Sequence, residues 1–177
     1  MAGAQESIYR SGLADGNIRF SVNLTGGPAM SINEFRYWRQ KTVVGASLTA
    51  VVPGSNRRAV KPEIGLSQRW SRWILDAYGA VWFFTVKNHY YTGRLAQTEL
   101  PMGAVEMHLS YDVKPRLWFS ADANFWYGGA TSLNGLENAN TRQKNSRVGA
   151  TASIPLNKRQ SFKFSYSAGS YIRFGGD

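Results

Sequence analysis

Few side chains in this sequence are equipped for catalysis. Its histidines are His89 and His108, and cysteine is absent. A thiolate nucleophile and a cysteine-ligated zinc site are therefore ruled out. His108 stands two residues from Glu106 and two from Ser110. On one strand face that order sets an acid, a base and a hydroxyl side by side, the parts of a hydrolase. A spacing of two also arises by chance in any strand, and a histidine held by polar neighbours is the plainer reading. The glycine-rich "GGATSLNG" follows a strand and opens no helix, so a phosphate-cradling loop is not supported. No catalytic residue, cofactor or metal is expected.

The elements that carry these residues have two unlike faces. In "YDVKPRLWFSADANFWYGG", Tyr111 to Gly129, one side holds Leu117, Phe119, Ala121, Ala123 and Phe125, and the other Ser120, Asp122 and Asn124. A soluble sheet turns the polar side to water, whereas a transmembrane barrel turns the apolar side to lipid and the polar side to a wet interior. The same period of two recurs along the chain. Ile18, Phe20, Val22 and Leu24 alternate with Arg19, Ser21 and Asn23, and Val44, Ala46, Leu48, Ala50 and Val52 with Gly45, Ser47 and Thr49. Val60, Ile64 and Leu66 oppose Lys61, Glu63 and Ser67, and Trp73 to Thr85 is apolar on both sides apart from Asp76. Val105, Met107, Leu109 and Tyr111 oppose Glu106, His108 and Ser110. Val148 to Ile154 and Phe162 to Tyr166 complete about eight candidate strands with almost no helix.

Composition narrows the class. With 177 residues, one domain covering the whole chain is expected. No run approaches the ~20 apolar residues of a spanning helix, and mean hydropathy is -0.34. A barrel escapes that test because alternation hides its lipid face. A net charge of +10 raises nucleic acid as a partner. The basic residues are scattered, however, with the densest runs in the turn-like "SNRRAVK" and "LNKRQ". No nucleic acid is expected, and a basic rim facing anionic lipid headgroups is an alternative use of the charge. The opening "MAGAQESIYR" has no secretory pattern, so an export signal would lie outside this chain.

The connections differ in length. "DVKPR" and "PLNKRQ" are short, while "KNHYYTGRLAQTE" and "GGATSLNGLENANTRQKNS" are long. Short turns at one end and long loops at the other are the asymmetry of outer-membrane barrels. Within "SINEFRYWRQ", residues 31–40, Ser31 and Glu34 have capping-box spacing, which predicts a short helix on the short-turn, periplasmic side.

Five stretches carry a family resemblance: "GGPAMSINEF", "NRRAVKPEIGLSQ", "WYGGATSLNG", "NSRVGATASIPL" and "SFKFSYSAGSYIRFGGD". Over nearly its whole length the chain resembles the transporter-type outer-membrane proteins of the meta-pathway of phenol degradation. That resemblance implies an all-β fold: an antiparallel, up-and-down transmembrane β-barrel in the bacterial outer membrane, passing small hydrophobic or aromatic solutes. It also implies departures. Only "PGS" bridges Val52 and Asn56, where the family has a longer loop, and the family continues past "GGD" with further strands. The chain is thus expected to be a partial, incompletely closed barrel.

With the faces inverted, the interior would be lined by Lys61, Glu63, Asp76, Glu106, His108, Asp122, Asn124, Arg147 and Lys163, with Arg19 and Asn23 on the same face. Paired charges filling a narrow lumen and a polar filter are both compatible with that set. Trp118 and Trp126 share the parity of Asp122, and Tyr78, Trp82 and Phe84 that of Asp76. Trp82, Trp118 and Trp126 could offer ring-binding surfaces to a solute. Alternatively, Trp118 and Trp126, ~26 Å apart along an extended strand, mark the two membrane interfaces. Two other functions fit the same pattern: a soluble lipocalin-like protein with Phe119, Ala121 and Phe125 as its core, and a basic nucleic-acid-binding sheet.

Overall fold

The computed structural model describes residues 16–52, 58–90, 95–157 and 160–173. Eight long strands form one antiparallel sheet: β1 (Gly16–Thr25), β2 (Thr42–Val52), β3 (Ala59–Trp70), β4 (Trp73–Phe84), β7 (Met102–Lys114), β8 (Leu117–Gly128), β11 (Gln143–Pro155) and β12 (Ser161–Tyr171). They lie side by side in that order, each paired with the next in sequence among these eight. These are the segments that period-two alternation picks out, because a strand of 10–13 residues with one wet and one dry face carries the clearest pattern a sheet can have. Among the described residues β1 and β12 are the outer strands and do not pair with each other.

At one end the connections are tight. Ser71, at φ 55, turns β3 into β4, and Pro115 with Arg116, at φ 69, turns β7 into β8. Proline followed by a positive-φ residue is the type II arrangement. The longest connection at this end holds α1 (Ile32–Tyr37). Ser31 Oγ accepts the Glu34 amide at 3.3 Å, and Glu34 Oε2 returns to the Ser31 N–H at 2.7 Å, a complete capping box.

The other end corrects the expectation of irregular loops. Residues 87–99 contain β5 (Lys87–Tyr90) and β6 (Leu95–Glu99), and residues 128–146 contain β9 (Thr131–Leu133), β10 (Leu136–Asn138) and a 3-10 turn, before β11 begins. The four short strands form a second sheet, ordered β10-β9-β6-β5. Asn134 and Gly135, at φ 50 and 83, supply the turn between β9 and β10, and an Asn-Gly pair is the strongest short hairpin signal. The shortened "PGS" connection and the final "GGD" lie outside the described residues.

Among the described residues there is no apolar core in the usual sense. The buried residues include Thr49, Glu63, Ser132, Asn145 and Ser153, and among the described residues the only apolar ones are Ala59 and Ala130. Large apolar side chains on the other strand face stay exposed: Phe20, Leu48, Ile64, Phe83, Val105, Phe119, Phe125, Val148 and Phe164 among them. A flat sheet exposes both faces alike. Here the polar side is crowded and the apolar side open, so the wall curls with its polar face concave.

Candidate functional site

Cross-strand register fixes which residues share the concave face, since directly opposed residues point the same way. Arg19, Thr49 and Lys61 are aligned across β1, β2 and β3, and Ser21, Ser47, Glu63 and Ala80 continue the same face into β4. Asp76, His108, Asp122, Gly149 and Ser167 form one row from β4 to β12, and Tyr78, Glu106, Asn124 and Arg147 the next. Trp82 and Trp126 follow by parity on β4 and β8, and Trp118, Ser153 and Lys163 stand opposite one another across β8, β11 and β12. Every residue singled out from the sequence as lumen-lining thus lies on one face.

Two ionic clusters occupy it. The Glu63 side chain is 4% exposed; Lys61 Nζ approaches its Oε2 at 2.9 Å, Arg19 bonds its Oε1, and Ser47 Oγ donates at 3.2 Å. A carboxylate this enclosed is tolerated because cations and a hydroxyl use its lone pairs. The second cluster joins His108 Nδ1 to Asp122 Oδ1 at 2.7 Å, with Ser120 Oγ donating to the same oxygen at 3.0 Å and Thr151 Oγ1 to Oδ2 at 3.2 Å. Tyr78 packs edge-on to His108 at 6.3 Å between ring centres. Asp76 accepts from Ser67, which in turn accepts from Gln40. A recess of about 370 Å³ opens over this second cluster, walled by Asp76, His108, Trp118, Asp122, Thr151 and Lys163.

The hydrolase arrangement does not form. The hydroxyls joined to the His108–Asp122 pair are those of Ser120 and Thr151, and both donate to the carboxylate; no hydrogen bond links Ser110 to His108 among the described residues.

The tryptophans also settle onto the concave face. Lys61 Nζ lies 5.2 Å from the Trp82 ring centre, and Trp82 stacks parallel to Phe84 at 6.3 Å. Lys163 Nζ lies 5.6 Å from Trp118, and Trp126 Nε1 donates to Gln143 at 2.9 Å. Trp118 and Trp126, alternatively read as interface markers, thus stand on the concave face, and the exposed rings of the outer face are others. Trp70 and Trp73 are exposed on the outer face at the tight-turn end, Trp73 against Tyr111 at 4.8 Å, and Phe83 and Tyr127 are exposed at the opposite end. From the Trp73–Tyr111 pair to the residue opposite Tyr127 is eight residues of β7, about 26 Å of strand and roughly 20 Å of height at a ~40° tilt, near the ~25 Å apolar band of a barrel.

Ser47, Thr151, Gln143 and Asn145 take part in these contacts without having been read as site residues. Their signal in the sequence was parity alone, since each falls on the polar side of its strand. The lipocalin-like alternative fails on facing: it needs Phe119 and Phe125 inside, and they are 47% and 45% exposed on the convex side.

A curled antiparallel wall, polar within, apolar without and ringed by outward aromatics, is the architecture of an outer-membrane β-barrel. The chain is similar in fold to an outer membrane channel from Pseudomonas putida F1, with a TM-score of 0.76 at 12% sequence identity over 94% of this chain. It spans 62% of that channel's length. Neither the protein-family models nor the curated proteins compared with it give a match.

Proposed function

We propose that the chain builds the wall of a channel in the bacterial outer membrane through which small hydrophobic or aromatic compounds enter passively, as the resemblance to the phenol meta-pathway transporters implies. The observation that carries this reading is the inversion of faces: Glu63 is enclosed while Phe119, Phe125 and Phe164 stand open. Soluble monomers rarely expose apolar patches beyond a few hundred Å², whereas acyl chains would cover this one. The tight-turn end then faces the periplasm and the β5/β6/β9/β10 sheet the exterior. For the solute, support comes from Trp82 with Phe84 and from Trp118, which offer ring faces along a polar wall.

Extraction tests the first part: the protein should require detergent and show heat-modifiable gel mobility, and a soluble monomer in plain buffer would overturn it. Uptake of an aromatic probe tests the second. It should fall with Trp118→Ala or Trp82→Ala in cells holding equal amounts of folded protein, and unchanged uptake would leave the barrel a structural wall.

A further inference from the structure

The tight-turn rim carries positive charge that no carboxylate neutralises. Arg39, Lys41, Arg72 and Lys114 are exposed, and among the described residues none is in an ion pair. The acids at this end are already engaged, Asp112 by Arg69 at 2.8 Å and Glu34 by the Ser31 cap. Backbone bonds string these positions together around the rim: Arg69 N–H donates to Lys41 C=O at 2.7 Å, and Asp112 N–H to Arg72 C=O at 2.8 Å. Arg116 extends the line by bonding Ser161 at 2.8 Å.

A second, independent feature gives this charge an address. Trp70 and Trp73, 53% and 46% exposed, sit on the lipid-facing side at the ends of β3 and β4, immediately beside Arg72. Indole rings in such a position rest at the level of lipid headgroups. Cations just beyond that ring reach the depth of the phosphates, and long Lys and Arg stems can extend to them.

We propose that this rim is a docking surface for anionic phospholipid headgroups, with Arg39, Lys41, Arg72 and Lys114 taking their phosphates and Trp70 and Trp73 setting the depth. The proposal rests on the membrane reading above, and its test separates the two. The full chain is inserted into phosphatidylcholine vesicles containing about a quarter phosphatidylglycerol, and its tryptophan fluorescence is quenched with brominated-chain forms of either lipid. Phosphatidylglycerol should quench preferentially, by about fivefold for each cation that engages a headgroup at low salt, and ~0.5 M salt should erase the preference. Arg39→Gln/Lys41→Gln/Arg72→Gln/Lys114→Gln, inserted and heat-modifiable, should quench equally with both lipids. Equal quenching of the unsubstituted chain, or a preference that survives in the folded variant, overturns the proposal; the former result would fit a rim that serves an acidic protein instead. Should the variant not fold, the salt response of the unsubstituted chain still decides. Failure to insert into either vesicle would instead strike the membrane reading.

Discussion

His108 and Asp122 are direct cross-strand partners, with Nδ1 and Oδ1 2.7 Å apart across β7 and β8. Fourteen residues of sequence separate them, and the Pro115–Arg116 turn together with the irregularity between Asp112 and Lys114 brings them level. Asp122 is the hub, since Ser120 and Thr151 bond it too. Asp122→Ala should therefore destabilise the inserted protein by about 2–3 kcal/mol, and Thr151→Val, which deletes one bond, by about 1 kcal/mol. Denaturant unfolding of vesicle-inserted protein reads both, and equal losses would deny Asp122 its central place.

Glu63 should be the most sensitive charge in the wall. Glu63→Gln leaves Lys61 and Arg19 facing each other without a counter-charge, at a cost of about 3 kcal/mol in the same unfolding measurement. Arg19→Gln should cost less, because Arg19 is half exposed and Lys61 still holds the carboxylate. The reverse ranking would mean that Arg19 and not Lys61 sustains the buried charge.

Tyr78 packs its ring over Gly65 of the neighbouring strand. A Cβ added at Gly65 would stand 2.6 Å from the ring edge, inside van der Waals contact. Gly65→Ala should cost about 1–3 kcal/mol as the ring is displaced, and the cost should shrink sharply in a Tyr78→Ala background. Additive losses in that double-mutant comparison would show that the glycine serves its own backbone instead.

The α1 cap should respond to acid. The Ser31 backbone N–H, then its hydroxyl, hold the Glu34 carboxyl below its ordinary 4.5. A lowered value in the folded state means the cap contributes fully above the unfolded carboxylate's titration and is lost as pH falls through the lowered one. Amide exchange at Phe35, whose N–H donates to Ser31 C=O, should accelerate in that acid window. Ser31→Ala should accelerate it at neutral pH and flatten the response. A Phe35 exchange profile identical in both proteins would contradict the assignment.

Much of the wall was legible because a sheet with one polar and one apolar face imposes a strict alternation. Phe119, Ala121 and Ala123 against Ser120, Asp122 and Asn124 reveal both strand and facing without any coordinate. Register is another matter. That His108 meets Asp122, or that Thr151 reaches it from β11, depends on turn geometry and strand irregularities that residue types do not encode. The outer hairpins were missed for the opposite reason: β9 and β10 have three residues each, too few to alternate, and β6 pairs with β9 from a different connection. Asn134–Gly135 was the one local clue. The eight-residue interval between Trp118 and Trp126 suggested interface rings by length, but parity governs, and it turns both indoles inward.

Among the described residues the outer flanks of β1 and β12 are unpaired, which on the proposed membrane reading has a consequence for insertion. Hydrocarbon offers a lone amide nothing to bond, and each orphaned group costs several kcal/mol. Within the large sheet, β2, β3, β4, β7, β8 and β11 each have a partner on both sides. On the proposed membrane reading, the seam beside β1 and β12 is where polar backbone would first touch oil, and a partner strand along it is what the wall would need in a bilayer.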